Sequence, residues 1–478
     1  MEKLKNYIAG EWTDARSGRT GRRENPANPE EIVAEFPLSD AEDVKAAVAA
    51  ARAAQGGWRA TPAPRRGAII LRAMEILARR ADELAAAMTL EEGKLLPEAK
   101  GEVQKSVNVL EFIAGEGRRL GGRTLPSEMP STFCYTTRDP VGVVAVITPW
   151  NFPVAIPVWK TAPALVAGNA VVFKPASLTP ICAKLVVEVF AEAGVPRGVL
   201  NLVYGPGGAV GGALVEHPDV RALTFTGSTE VGLALYGDAA KLGKKVQCEM
   251  GGKNAIVVYQ DADLELAAAA AVQGAFGSTG QRCTATSRAV VAREVVSAFT
   301  DLVVEQSRRF EMGPLVERSA QERVLSYVQT GSREGARLLC GGKRPERPGY
   351  FVEPTVFCDV RAEMRLAQEE VFGPLLSIIP VESEEQAVEV ANGVAFGLSA
   401  SVYTRDLPAA MRFCQRAEVG IVHVNQPTVG GEAQMPFGGV KATGVGPREQ
   451  GDTAIEFFTE LKTVYLDYTG RRREGNLY

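Results

Sequence analysis

The distribution of apolar positions changes character twice along the chain. Residues 40–56 open on Asp40, Glu42 and Asp43 and run on as an alanine-rich stretch to Ala54, which predicts a helix with an acidic first turn. Residues 64–118 predict further, longer helices, so the first quarter is expected to be largely α. From Val141 the pattern becomes short unbroken apolar runs, at 141–148, 170–174, 198–204, 222–226 and 254–259, separated by helical stretches. Runs of this length rich in Val, Ile and Leu are buried on both faces, as in a parallel sheet covered by helices. A second alternation follows Cys283, with strand candidates at 288–292, 375–381, 399–403 and 420–425. The fold class expected is α/β with two doubly wound domains. Two segments stand apart: 121–140, polar, Thr-rich and broken by Pro126, Pro130 and Pro140, and Thr463–Tyr468, which alternates like a strand without an obvious partner. Such edges offer material for a subunit contact, or for an internal hairpin.

Bulk properties narrow the class. A chain of 478 residues exceeds what one hydrophobic core supports. A formal net charge of −4, with no basic stripe, excludes nucleic acid as an expected partner, and Arg471–Arg473 reads as a solvated tail. The amino terminus has no apolar signal-like region and no run of eighteen apolar residues occurs, so no membrane partner and a cytoplasmic location are expected. Seven cysteines without a C-x-x-C pair argue against a disulfide framework and a zinc knuckle, and His217 and His423 are the only histidines. No metal site is expected.

The segment Gly280-Gln281-Arg282-Cys283-Thr284 sets one cysteine among small residues, where a bulky substrate can reach the sulfur and backbone N–H groups can face an oxyanion. Taken alone it equally fits a small buried hydrophobe. Asn151, between Trp150 and Phe152 after the strand ending at Thr148, can aim an amide at developing negative charge. Glu249, beside Gly251 and Gly252, offers a general base or an ordinary surface carboxylate. Neither G-x-G-x-x-G nor a P-loop occurs, but Thr226-Gly227-Ser228 joins a strand to a helix, and Gly205-Pro206-Gly207-Gly208-Ala209-Val210-Gly211 ends another strand with more glycine than a plain turn needs. Lys174 closes a strand at the edge where α/β sheets bind ligands.

Taken in order, these segments together with Glu370-Val371-Phe372, Gly10-Glu11-Trp12 and Pro436-Phe437-Gly438-Gly439 resemble the aldehyde dehydrogenase family over nearly the whole chain. The resemblance implies a Rossmann-like dinucleotide-binding domain (1–120 and 141–251), a catalytic domain (252–447) and a small β oligomerisation domain (121–140 and 448–478), assembled as a homodimer or homotetramer. It implies NAD(P)-dependent oxidation of an aldehyde to a carboxylic acid. Cys283 is then the nucleophile that gives a thiohemiacetal and thioester, Asn151 the oxyanion donor and Glu249 the base for hydrolysis. The presence of Glu249 separates the chain from the CoA-acylating branch, and the intact set of three from non-catalytic relatives. Thr148, Trp150, Lys174, Ser177, Gly207, Gly211, Gly227, Ser228, Glu370 and Phe372 fall at cofactor-binding positions. Phe152, Trp159, Arg282, Thr284 and Phe437 fall around the substrate, and Phe276 is a further candidate for an apolar tunnel. Gln281 reads as structural, and Arg282 as either a carboxylate anchor or half of a structural ion pair.

One position departs from many NAD-preferring relatives: Ser177 stands where they carry a glutamate. Loss of a carboxylate there removes repulsion of a 2′-phosphate, so NADP is the expected cofactor, with NAD also accepted. The segments around Asn151, Cys283 and Gly446–Gly451 are similar to those of bacterial enzymes acting on α-ketoglutaric semialdehyde. A broad aliphatic or aromatic aldehyde range is the alternative.

Overall fold

The computed structural model describes residues 1–471; Arg472 and Arg473 of the basic tail lie outside them. The first sheet has eight strands in the order Gly444–Val445, Lys245–Glu249, Val220–Thr226, Val143–Ile147, Ala170–Lys174, Leu200–Leu202, Asn6–Ile8, Glu11–Thr13. The five from Lys245–Glu249 to Leu200–Leu202 run parallel. After the antiparallel edge strands Asn6–Ile8 and Glu11–Thr13, the chain enters the parallel part at Val143–Ile147, winds outward through Ala170–Lys174 and Leu200–Leu202, then crosses back to Val220–Thr226 and Lys245–Glu249. The reversal opens a crevice between the carboxyl ends of Val143–Ile147 and Val220–Thr226, the place where doubly wound sheets take ligands.

The apolar run at 254–259 belongs elsewhere: Asn254–Val258 lies in the middle of a second, seven-stranded sheet. The apolar pattern passes over Lys245–Glu249 because KVQCE alternates. Its Gln247 is buried all the same, accepting from Thr224 Oγ1 (3.0 Å) and donating to the Pro447 carbonyl (2.9 Å). The second sheet runs Arg337–Cys340, Thr355–Cys358, Leu375–Val381, Thr286–Ala292, Asn254–Val258, Ser399–Tyr403, Ile421–Val424, with only the Arg337–Cys340 edge antiparallel. Helices cover both sheets, so the fold is α/β as the alternation predicts.

The helix from Ala41 to Ala60 is capped by Asp40, which accepts from Glu42, while Asp43 answers to the Asp40 N–H. Residues 64–118 resolve into Ala63–Arg79, Ala81–Glu92 and Leu96–Arg119; the second of these ends at Gly93, in the left-handed region at φ 93°. Ahead of these helices, residues 2–37 hold five short strands, so the opening of the chain is less α than its composition suggests. The two unpartnered edges are each other's partners: Thr132–Pro140 pairs antiparallel with Thr459–Asp467 along its whole length, with Thr124–Leu125 beside it. Phe133, Leu461 and Tyr465 on this small sheet remain exposed. No helix among the described residues is long and apolar enough to cross a membrane.

Candidate active site

Cys283 is delivered by a sharp turn. The helix Leu264–Phe276 passes into Gly277–Gly280, where Ser278 and Thr279 have φ of 50° and 58° and Gly280 has φ 68°. A Cβ on Gly280 would lie 2.4 Å from the Gly373 carbonyl, so only glycine fits. The chain then places Cys283 just ahead of the strand Thr286–Ala292, half-buried at the wall between two cavities. One, of about 490 Å³, is lined by Phe152, Trp159, Arg282, Thr284 and Phe437. The other, of about 190 Å³, is lined by Trp150, Asn151, Gly227, Ser228, Glu370 and Phe372. Cys283 and Ile156 line both. Burial, and then the carboxylates of Glu370 and Glu249, push the thiol up to about 12.

Asn151 is buried, and its amide donates to the Gln281 carbonyl at 3.0 Å. Gln281 is structural: its side-chain oxygen accepts from Val316 N–H at 3.0 Å. The backbone of the Asn151 turn is held by Lys94, a residue the motifs do not flag. Its buried ammonium donates to the Asn151 carbonyl at 2.9 Å, pairs with Glu102, and lies 4.3 Å from the centre of the Phe152 ring. Glu102 in turn accepts from the N–H groups of Val154 and Ala155 (2.9 and 3.0 Å) at the start of the helix Ala155–Val166. A glutamate set among the buried positions of Leu96–Arg119 is the sequence signal for this cluster.

Glu249, at the end of its strand, lines neither cavity. Its carboxylate accepts from Gly439 N–H at 3.3 Å and packs so closely on Gly438 (φ 147°) that a Cβ there would fall 2.2 Å from Oε1. Burial and then Glu449 hold the Glu249 carboxyl well above the usual range, against Lys160, Arg448 and the Gly439 N–H. Glu449 accepts from Trp159 Nε1 at 2.8 Å and from the buried ammonium of Lys160, which also donates to Thr224 Oγ1 at 2.7 Å.

In the smaller cavity the Trp150 and Phe372 rings meet edge to face, centroids 5.5 Å apart. Glu370 accepts from Gly252 N–H at 2.9 Å and is raised by burial to about 7. Gly227 and Ser228 stand before the helix Thr229–Lys241, and Ser228 makes no side-chain cap to it. Thr148, Lys174, Ser177, Gly207 and Gly211 lie outside both cavity linings, along the carboxyl ends of adjacent strands. Thr148 N–H donates to the Lys174 carbonyl (3.2 Å), the Lys174 ammonium donates to the Pro175 carbonyl and is lowered by burial to about 8, and Ser177 Oγ donates to the Gly205 carbonyl at 3.4 Å. Gly207 and Gly211 have open space where a Cβ would sit. Buried hydroxyls of Thr148, Thr226 and Thr229 have no partner among the described residues. A helix amino terminus, unpaired hydroxyls, bare glycines and a carboxylate along one crevice fit a dinucleotide: donors for its phosphates, an acceptor for a ribose.

One candidate is corrected, and the two readings of Arg282 are separated. Phe276 is fully buried against Phe310, ring centroids 6.0 Å apart, and does not reach the larger cavity. Arg282 does line it, but its guanidinium is taken by Ser278 Oγ (2.8 and 3.0 Å) and Glu98 (3.7 Å), the structural ion pair. Neither histidine lines either cavity, and no cluster of His, Cys, Asp and Glu among the described residues is arranged to hold a metal.

An open α/β sheet with a ligand crevice at its reversal point, and a cysteine between that crevice and a second cavity, suit dinucleotide-dependent chemistry on a substrate held in the second cavity. The chain belongs to the aldehyde dehydrogenase family, whose model matches residues 12–464. It is 45% identical over 475 residues to the α-ketoglutaric semialdehyde dehydrogenase of Bacillus subtilis, covering 96% of this chain and 97% of that one. Among solved structures it is similar to an NAD-dependent aldehyde dehydrogenase from Sinorhizobium meliloti (TM-score 0.96, 35% identity, 99% and 96% of the two chains). It is also similar to an NADP-dependent enzyme of E. coli (TM-score 0.95, 38% identity, 98% of each chain).

Proposed function

We propose that the chain oxidises a semialdehyde bearing a carboxylate, of the α-ketoglutaric semialdehyde type, to the free acid in the cytoplasm with NADP, NAD also serving. The observation that carries this reading is Cys283 at the wall shared by the two cavities, with the aldehyde taken from the larger side. Likeness to the B. subtilis enzyme supports the substrate, and Ser177 at the ribose position supports NADP.

The Cys283 thiol passes its proton to water and adds through sulfur to the aldehyde carbon, the C=O π pair moving onto oxygen. The second amide hydrogen of Asn151 and the Cys283 backbone N–H hold the resulting oxyanion. A bound nicotinamide supplies the hydride acceptor. Loss of hydride leaves a thioester on Cys283. Glu249 releases Gly439 N–H, turns toward the thioester and takes a proton from water; the water oxygen bonds to the acyl carbon, the C–S bond breaks, and the acid departs. Residues 1–120 with 141–251 bind the cofactor, 252–447 carry the chemistry, and the small sheet with exposed Phe133, Leu461 and Tyr465 joins subunits as a homodimer or homotetramer. A panel of carboxylated, aliphatic and aromatic aldehydes run with both cofactors tests the reading. Turnover of semialdehydes to free acid, lost in Cys283→Ala, is the expected result; unchanged turnover in that variant sinks it.

A further inference from the structure

The larger cavity has four charged lining residues, Glu98, Glu102, Lys105 and Arg282, and three are neutralised inside the fold. Glu98 and Arg282 pair with each other, Glu98 also accepting from Ser278 N–H at 2.6 Å. Glu102 pairs with Lys94 and caps the helix after Asn151. Lys105 remains. Projecting from the helix Leu96–Arg119, its half-buried ammonium donates one hydrogen to the Gly431 carbonyl at 2.6 Å and has no carboxylate within 4.0 Å among the described residues. It also lines the adjoining outer cavity of about 640 Å³, so it stands where the substrate cavity opens outward. The rest of the substrate cavity is largely apolar or uncharged: Phe152, Ile156, Trp159, Val429, Phe437, Thr284.

We propose that Lys105 binds the carboxylate at the far end of the substrate, so that the cavity selects ω-oxo acids over uncharged aldehydes. The inference rests on the aldehyde reading and specifies its substrate class. An uncompensated ammonium in a partly dry cavity gains most from an anion that completes its hydrogen bonds. Burial already lowers Lys105 to about 8, with only Glu432 opposing, the mark of a cation short of a counter-charge. One free ammonium suits one carboxylate. Arg282, nearer the sulfur, is spoken for by Glu98 and Ser278, so discrimination falls to Lys105.

The test compares 5-oxopentanoate with pentanal, which differ only at the terminal carboxylate, in the full-length enzyme and its Lys105→Met and Lys105→Arg variants. Lys105→Met is expected to lower kcat/KM for 5-oxopentanoate about 10- to 100-fold, mainly through KM, while leaving pentanal unchanged. Lys105→Arg retains most of the preference. Glutarate, the product acid, should inhibit the wild type and lose that inhibition in Lys105→Met, a second readout independent of turnover. Equal losses on both aldehydes, or none on 5-oxopentanoate, overturn the assignment of Lys105. Wild-type enzyme that oxidises pentanal as well as 5-oxopentanoate also overturns it while the aldehyde chemistry stands; oxidation of neither overturns both readings.

Discussion

The side-chain amide of Asn151 donates to the main-chain carbonyl of Gln281, 3.0 Å away and two residues before Cys283. That single bond fixes the plane of the amide and leaves its second hydrogen unspent beside Cys283. Lys94, on the Asn151 carbonyl, fixes the backbone from the other side.

Asn151→Ala and Asn151→Asp should therefore lower kcat/KM by about 10²- to 10³-fold, the range for loss of one preorganised oxyanion donor. The aspartate variant keeps the shape but sets an acceptor against the Gln281 carbonyl. Cofactor affinity, read by fluorescence titration, should stay near wild type. A variant losing cofactor affinity in proportion to activity would place Asn151 outside the acyl chemistry.

Glu249 works as a base only when deprotonated, and its pKa is raised by burial and by Glu449. The hydrolytic step should fall as pH drops through that raised value and recover as pH climbs above it. Glu249→Gln should remove the dependence and slow hydrolysis about 10²- to 10⁴-fold, with acyl-enzyme accumulating after one turnover. Rapid-quench mass spectrometry detects that species; an acyl-free variant with the same slow rate contradicts the role.

Gly438→Ala displaces the same carboxylate without replacing it. Its methyl would fall 2.2 Å from Glu249 Oε1 at a φ of 147° that alanine resists. Hydrolysis should slow while hydride transfer in the first turnover continues, a split seen as a burst in stopped-flow absorbance. Loss of burst and steady state together would mean the fold, not the base, had yielded.

Lys160 and Glu449 form a nearly inaccessible ion pair, with Trp159 and Thr224 completing its hydrogen bonds. Lys160→Met leaves a buried carboxylate without its cation and should cost about 3–5 kcal/mol of stability. The double variant Lys160→Met/Glu449→Leu should recover part of that loss. Denaturant melts on the three proteins decide it; a single variant as stable as wild type would show the pair to be dispensable.

Ser177→Glu puts a carboxylate at the end of the Lys174 segment and should reduce kcat/KM with NADP about 10- to 100-fold relative to NAD, through like-charge repulsion at a few ångströms. Steady-state kinetics with both cofactors measure the ratio. An unmoved ratio would take Ser177 out of cofactor discrimination.

The strands at Val143–Ile147, Ala170–Lys174 and Asn254–Val258 could be read from sequence because their apolar runs are short, rich in β-branched residues and bounded by polar or turn-forming residues. Lys245–Glu249 escaped because Gln247 and Glu249 are buried polar groups whose partners, Thr224, Pro447 and Gly439, come from distant segments. Which sheet Asn254–Val258 joins is likewise a tertiary fact. At the site, Cys283, Asn151 and Glu370 are each ambiguous alone and stand out only through their order along the chain, which resembles the family's. Lys94 looks like an ordinary helix-flanking lysine and Lys105 like one on a solvated helix face until the fold shows which carboxylates surround the first and which the second lacks.

Cys283 stands in a partition. Apart from Cys283 itself and Ile156, no described residue lines both cavities, so the walls of the two chambers are built from separate sets of side chains. On the proposed assignment, changes around Phe152, Trp159 and Phe437 remodel the aldehyde's chamber while Trp150, Gly227 and Phe372 keep the cofactor's intact. A lineage can therefore exchange substrates and retain its redox partner, or do the reverse, by altering one side of a single sulfur atom.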